Sequence, residues 1–149
     1  MKRLPWKYLA GLIDGEGCID VQLTKGVYVR PRLRIAMTAT SEYMLKMAQN
    51  SLGGRLCPRQ GSGNWNDSVS WELSGYKQAC PVLRNVVNHL ILKKEQARFC
   101  LWLERHVKGL HVSAEARDAI RQELKLMKRD PHRLSEKAQD ELLEMLQSI

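Results

Sequence analysis

The sequence contains no apolar run close to the roughly 20 residues that a membrane-spanning helix needs. Its N-terminus shows no hydrophobic segment followed by a cleavage site, as a secreted protein would have. The four cysteines include no C-x-x-C pair, and the histidines lack the spacing of a zinc site. Internal repeats and low-complexity segments are also absent. We therefore expect an intracellular globular protein with buried free thiols, in the cytoplasm or nucleoid or in an organelle that encodes it, and not a secreted or membrane protein.

Basic residues are in clear excess over acidic ones. The 149 residues, enough for one compact domain, include 24 Lys and Arg against 16 Asp and Glu, which gives a net charge of +8. The excess lies in residues 1–134, which hold 23 of the bases and 12 of the acids. This distribution favours a polyanionic partner, such as nucleic acid, that contacts the body of the domain rather than its C-terminal stretch.

Hydrophobic spacing predicts helices and strands in the order αββαββα over residues 1–108, followed by further helices. The expected elements are a helix from Pro5 that ends at Gly15 or Gly17, strands on either side of Lys25-Gly26, a helix over 41–52 capped by Ser41, strands over 55–60 and 68–74, and helices after Gly75 with breaks near Leu90, Gly109 and Pro131. We predict a single α+β domain over residues 1–149, with its core over 1–108 and C-terminal helices over 109–149 that brace it.

One face of the predicted hairpin is apolar, whereas the other is polar and basic. The polar residues are Asp20, Gln22, Thr24, Tyr28, Arg30, Arg32 and Arg34, and strands three and four extend this face with Arg55, Arg59, Gln60, Ser68, Ser70 and Glu72. Such a ribbon can enter a DNA major groove, where Arg pairs with guanine and Gln with adenine. The alternative is a polar face that water alone covers, as in many antiparallel sheets. Three arginines in alternation favour the DNA-binding interpretation.

The first helix carries a distinctive segment, Leu9-Ala10-Gly11-Leu12-Ile13-Asp14-Gly15-Glu16-Gly17. It resembles the motif of the LAGLIDADG homing endonucleases, and it departs from the motif's name only at Gly15 and at Glu16, where either acid occurs in the family. Gly11 and Gly15 stand four residues apart, so a second helix can approach this face closely. The resemblance extends over residues 1–108, and it implies the family's αββαββα fold with a saddle-shaped antiparallel sheet.

The motif occurs once, and the resemblance then implies a homodimer that binds double-stranded DNA and takes no small-molecule substrate. The dimer interface would include Leu9, Gly11, Leu12 and Gly15. Glu16 would lie near its symmetry mate, where two carboxylates repel each other unless a cation lies between them. The expected activity is hydrolysis of both strands of a long near-palindromic site, leaving short 3′ overhangs. Glu16 would be a catalytic residue that holds Mg²⁺, Mn²⁺ could substitute, and Ca²⁺ would support binding without cleavage.

A second catalytic residue is expected in the segment Leu92-Lys93-Lys94-Glu95-Gln96-Ala97, where the family places a lysine beside the scissile phosphate. Lys93 aligns best, and Lys94 is the alternative. The family also often has a Gln at the end of the second strand, which this sequence lacks. Thr38 or Thr40 would take its solvent-organising and DNA-contacting role. Asp14 is expected to bind backbone rather than metal.

Two other functions fit parts of the sequence. A member of the family that has lost cleavage would act as an RNA maturase or as a DNA-binding regulator, and the presence of Glu16 argues against this loss. A basic protein that coats nucleic acid without sequence preference would not need the ordered arginine ribbon. The sequence also lacks a His-Asn-His cluster, so it offers no support for that type of nuclease.

Overall fold

The computed structural model describes residues 3–61 and 67–147 and contains a four-stranded sheet with helices packed on one face. The elements are α1 (Trp6–Glu16), β1 (Gly17–Thr24), β2 (Tyr28–Thr38), α2 (Glu42–Leu52), β3 (Arg55–Arg59), β4 (Ser68–Ser74), α3 (Tyr76–Val86), α4 (Lys94–His106), α5 (Ala114–Arg129) and α6 (Glu136–Gln147), with short 3-10 turns at Ala39–Ser41 and Val87–His89. The predicted α+β class and the αββαββα order with extra C-terminal helices are confirmed.

The sheet is antiparallel throughout, with strand order β1-β2-β4-β3. The period-two alternation of β2 is visible in its burial, since Val29, Leu33 and Ile35 are buried while the arginines between them are partly exposed. The sheet therefore has an apolar face toward the helices and an open polar face. Pro58 lies on β3, an edge strand, where a residue without an N–H is tolerated.

Two apolar clusters support this sheet. The first lies between its inner face and helices α1, α2 and α3, and is built around fully buried residues such as Leu9, Ile13 and Trp71. The second surrounds Phe99 on α4 and includes the buried faces of α5 and α6. The C-terminal helices thus pack against α4 through their buried faces. At the hairpin turn, Val112 N donates to Val27 O at 2.7 Å and Arg117 Nη1 donates to Gly26 O.

The β1–β2 connection needs left-handed backbone, with φ of 55° at Lys25 and 73° at Gly26. Pairing begins with Thr24 opposite Tyr28, so the loop contains three residues. A loop one residue shorter would shift the pairing by one residue and bring different side chains face to face across the strands. The loop length therefore decides which polar side chains lie opposite each other on the open face.

Some local expectations hold and others need correction. Of the two glycines expected to end α1, Gly17 does so with extended backbone, and the helix runs through Gly15 to Glu16. Ser41 precedes α2, but its side chain forms no capping hydrogen bond. Gln60 lies beyond the end of β3. Trp65, for which the sequence leaves open stacking on DNA or covering the core, lies outside the described residues and is not tested. No helix within residues 3–61 and 67–147 has both the length and the apolar composition to cross a bilayer.

Candidate functional site

The C-terminal end of α1 is fastened to the chain segment that precedes α4. The Asp14 carboxylate accepts hydrogen bonds from three consecutive backbone N–H groups, those of Ile91 (2.8 Å), Leu92 (3.1 Å) and Lys93 (3.0 Å). Lys93 Nζ reaches back and donates to Ile13 O at 2.8 Å and Asp14 O at 2.9 Å. The two residues therefore form a reciprocal tie, and Asp14 binds backbone as expected.

The Lys93 ammonium is partly buried in this tie. Its donors satisfy two of the last carbonyls of α1, where a cation also opposes the negative end of the helix dipole. An ammonium has three N–H donors, so one remains for an outside acceptor. Burial lowers the pKa of Lys93 from its ordinary value, while the nearby Asp14, Cys18 and Glu16 oppose that shift. Lys93 is thus a fixed cation close to Glu16. Lys94 instead lines a separate cleft with Ile91 and His132.

Glu16 is the last residue of α1 and is exposed. Its carboxylate has no hydrogen bond or ion pair among the described residues. A negative charge at a helix C-terminus is unfavourable, by about 0.3–1 kcal/mol at a surface, and a bound cation would relieve it. Within residues 3–61 and 67–147 of one protomer, no three acidic, Cys or His side chains cluster as a complete metal site. Glu16 fits a divalent ion as one oxygen ligand, provided that the other ligands come from a second chain or from phosphate.

One face of α1 is left open by the protomer. Tyr8 is 48% exposed, Leu12 is half-buried, and an added Cβ at Gly11 or Gly15 would meet no atom within 4 Å. These four residues occupy positions i, i+3, i+4 and i+7, so they share one side of the helix. Leu9 does not belong to this face, because it is fully buried in the protomer core. Leu9 is therefore not available on this face for the interface expected from the sequence, whereas Tyr8 is exposed there.

The open face of the sheet is organised in cross-strand rows. The rows are Thr24–Tyr28, Gln22–Arg30, Asp20–Arg32–Ser74, Cys18–Arg34–Glu72–Arg55, Ala36–Ser70–Cys57 and Thr38–Ser68–Arg59. Nearly every residue expected to contact DNA from the strands lies in these rows. Gln60 lies beyond them, and Thr40 lies in the 3-10 turn, where its hydroxyl bonds that of Thr38 at 2.9 Å.

Charges on this face are partly paired. Arg32 binds Asp20 through two hydrogen bonds, and Arg55 Nη2 lies 3.7 Å from Glu72 Oε2. Glu72 is only 8% exposed and also accepts a hydrogen bond from Ser74 Oγ. The buried atoms Gln22 Oε1 and Arg30 Nε lack hydrogen-bond partners among the described residues. Unsatisfied polar atoms at a concave polar surface are suited to an incoming ligand with complementary groups.

The sequence pattern did not identify three residues that share a cleft with Lys93. Gln96, Cys18 and Lys128 line a cleft of about 320 Å³ together with Lys93. Gln96 is 3% exposed, its Oε1 has no partner within the described part of the chain, and Lys128 Nζ lies 3.5 Å from Cys18 Sγ. Lys128 comes from α5, more than one hundred residues after Cys18, so no local pattern could have placed it there.

The fold and the site define a class of protein, one in which a basic antiparallel sheet lies beside an exposed acid at the end of a glycine-lined helix. A family model described as LAGLIDADG endonuclease matches residues 9–106. The chain therefore belongs to the LAGLIDADG endonuclease family, as the motif predicted. No curated protein sequence matches it.

Solved structures support the same fold. The homing endonuclease I-CvuI, in complex with an I-CreI target in the presence of Mg, matches with a TM-score of 0.69 at 22% identity, covering 97% of this chain and 95% of that one. The archaeal intron-encoded homing endonuclease I-Vdi141I, complexed with DNA, gives 0.64 at 20% identity, with coverages of 96% and 94%. The meganuclease I-AabMI, bound to uncleaved DNA, gives 0.57 at 16% identity and covers 96% of this chain but 50% of that one.

Proposed function

We propose that this protein is a homodimeric, sequence-specific DNA endonuclease of the homing type, with a divalent metal held at Glu16. The observation that carries the proposal is the junction of α1 and α4. There, an exposed and unpaired carboxylate lies close to a fixed lysine, directly before the first strand of the basic sheet. Family membership and the DNA complexes of I-CvuI and I-Vdi141I support the proposal of a DNA endonuclease.

The open face of α1 is the proposed dimer contact. Gly11 and Gly15 allow the backbones of two such helices to approach closely, and Tyr8 and Leu12 supply apolar area on the same face. A two-fold axis along this contact would bring the two Glu16 carboxylates together at its end. The half-length match to I-AabMI is what a protein with two such units in one chain would give.

In the proposed dimer each residue has a separate task. Mg²⁺ held by Glu16 and phosphate oxygens would activate water and neutralise developing charge, and Mn²⁺ would substitute for it. Lys93 would donate its remaining N–H to the scissile phosphate, because its other donors are fixed on α1 carbonyls. The sheet rows would enter the major groove of each half-site. Cleavage would leave short 3′ overhangs in a near-palindromic site.

The test uses a library of randomised palindromic duplexes, incubated with the purified protein in Mg²⁺ and separately in Ca²⁺. We expect one long near-palindromic site to be cut in Mg²⁺ and bound without cleavage in Ca²⁺. Glu16→Gln should still bind this site but not cut it. Asp118→Asn, an exposed acid on α5, is the matched control and should cut like the parent.

Two outcomes would contradict the proposal. Residual cleavage by Glu16→Gln at more than a trace rate would remove the carboxylate from the catalytic role. A site that is bound but never cut, with Glu16→Gln behaving like the parent, would instead identify a DNA-binding regulator or maturase on the same scaffold.

A further inference from the structure

The row Asp20–Arg32–Ser74 contains a two-point ion pair on the open face of the sheet. Arg32 Nε donates to Asp20 Oδ1 at 2.9 Å, and Arg32 Nη2 donates to Asp20 Oδ2 at 2.6 Å. The two side chains are only 21% and 24% exposed, so the pair is sheltered from water. Pairing through two parallel hydrogen bonds restricts the rotation of the guanidinium plane as well as its position.

The hydrogen bonds use one edge of the guanidinium and leave another edge free. Arginine has five N–H donors, and the pair with Asp20 occupies one on Nε and one on Nη2. The remaining donors on Nη1 and Nη2 include two that point in parallel away from the side chain. Two parallel donors match guanine, whose O6 and N7 accept side by side in the major groove.

Asp20 is much less suited to reading a base itself. Both of its carboxylate oxygens are engaged by Arg32, and an acceptor that bound a cytosine amino group would have to compete with that charged partner. The other arginines of the hairpin lack this support. Among the described residues, neither Arg30 nor Arg34 forms an ion pair with a carboxylate, so their guanidinium groups are not oriented by one.

We propose that Arg32, held in orientation by Asp20, specifies a guanine in each half-site, and that Asp20 is a positioning residue rather than a base-contacting one. This inference rests on the proposed function and narrows the role first expected for Asp20. Asp20 follows Glu16 by four residues, a distance of at most about 14 Å along an extended chain. Base pairs are spaced at about 3.4 Å, so the specified guanine lies within a few base pairs of the cut.

The experiment measures base preference at every position of the selected site, by binding in Ca²⁺ to duplexes that carry each of the four base pairs. The variants are Arg32→Ala, Asp20→Ala, the isosteric Asp20→Asn, and the double variant Arg32→Ala/Asp20→Ala. Arg32→Ala should lose a preference for guanine of about 5-fold to 150-fold at one symmetry-related pair of positions. Both Asp20 variants should weaken the preference at those same positions, and the double variant should be no worse there than Arg32→Ala.

Asp118→Asn, an exposed acid on α5 and outside the sheet, is the control and should leave the preference at those positions unchanged. Circular dichroism of each variant confirms that it is folded, and Asp20→Asn retains the size of the side chain if Asp20→Ala does not fold. Loss of preference at different positions for Asp20 and Arg32 would make Asp20 a base reader and overturn the inference. Equal weakening on all sequences would assign Arg32 to phosphate and also overturn it. If the parent protein selected no site at all, the proposed function itself would fail, and this inference would fail with it.

Discussion

Removing the Asp14 carboxylate should loosen the junction on which the candidate active site is built. Asp14→Ala deletes the acceptor for three consecutive N–H groups at 2.8–3.1 Å, those of Ile91, Leu92 and Lys93. A hydrogen bond to a charged group contributes about 1.5–3 kcal/mol net. Ile91 and Leu92 are exposed, so water replaces part of what they lose. We therefore expect a total loss of about 2–4 kcal/mol in the free energy of unfolding rather than the simple threefold sum.

The assay is urea denaturation followed by circular dichroism, with a thermal scan beside it. A loss of this size in a chain of 149 residues should lower the melting temperature by about 5–15 °C. Asp14→Asn should fall in between, because its amide retains one acceptor oxygen but turns an N–H toward a backbone N–H. The exposed Asp118→Asn is the matched control and should change stability by no more than about 0.5 kcal/mol.

A second measurement distinguishes the effect of the Asp14–Lys93 contact on cleavage from its effect on overall stability. At a temperature where Asp14→Asn is fully folded, cleavage should be slower than in the parent while binding in Ca²⁺ is nearly unchanged, because the Lys93 backbone is less firmly held. If Asp14→Ala unfolded at the same urea concentration as the parent, the three hydrogen bonds would contribute nothing to stability. The account of the junction would then be refuted.

Two further predictions concern the helix face and the buried thiols. Gly11→Ala and Gly15→Ala should each stabilise the isolated protomer by about 0.5–1 kcal/mol, since each glycine lies in a helix with open space around it, yet both should weaken dimerisation in sedimentation experiments. Gly17→Ala, whose Cβ would lie 2.7 Å from Ile13 O, should destabilise the protomer instead. An unchanged dimer in the Gly11 and Gly15 variants would contradict the proposed contact. Burial raises the pKa of Cys80 from its ordinary value of 9.0 to about 12 and also raises that of Cys100, so these thiols ionise at lower pH in the unfolded chain than in the folded one. Because ionisation then favours the unfolded chain, the free energy of unfolding keeps its full value below about pH 9 and falls as the pH rises toward about 12. Urea unfolding across that range should show a steeper decline for the parent than for Cys80→Ala/Cys100→Ala, and equal slopes would refute the assignment.

The sequence predicted the elements well because their signals are local. Alternation of apolar residues such as Val29, Leu33 and Ile35 identifies a half-buried strand without reference to the rest of the chain. The polar face followed from the same pattern. The motif likewise predicted that Gly11 and Gly15 share one side of α1, because helical spacing places them there whatever surrounds the helix.

Pairing between elements was not predictable in this way. Asp20 faces Arg32 only because the hairpin loop has three residues, and a two-residue loop at Lys25-Gly26 would have placed Asp20 opposite Pro31. The Lys93 contact to α1 spans about eighty residues and depends on how α4 packs. Leu9 was assigned to the wrong side of α1 because an apolar residue in a short apolar helix fits either the core or an interface.

The junction at Gly17 connects the candidate catalytic acid to the first strand of the open polar face without an intervening loop. Helix α1 ends at Glu16 and β1 begins at Gly17, whose missing side chain lets the chain turn directly against Ile13 O. The Asp14–Lys93 tie fixes the end of the helix, and β1 carries Asp20 at its fourth position. Hence, in the proposed nuclease, the backbone from α1 into β1 fixes the separation of Glu16 from the Asp20–Arg32 pair, and with it the approximate separation of the cut phosphate from the guanine. Such a protein would tolerate changes in which base it reads more readily than changes in where it cuts relative to that base.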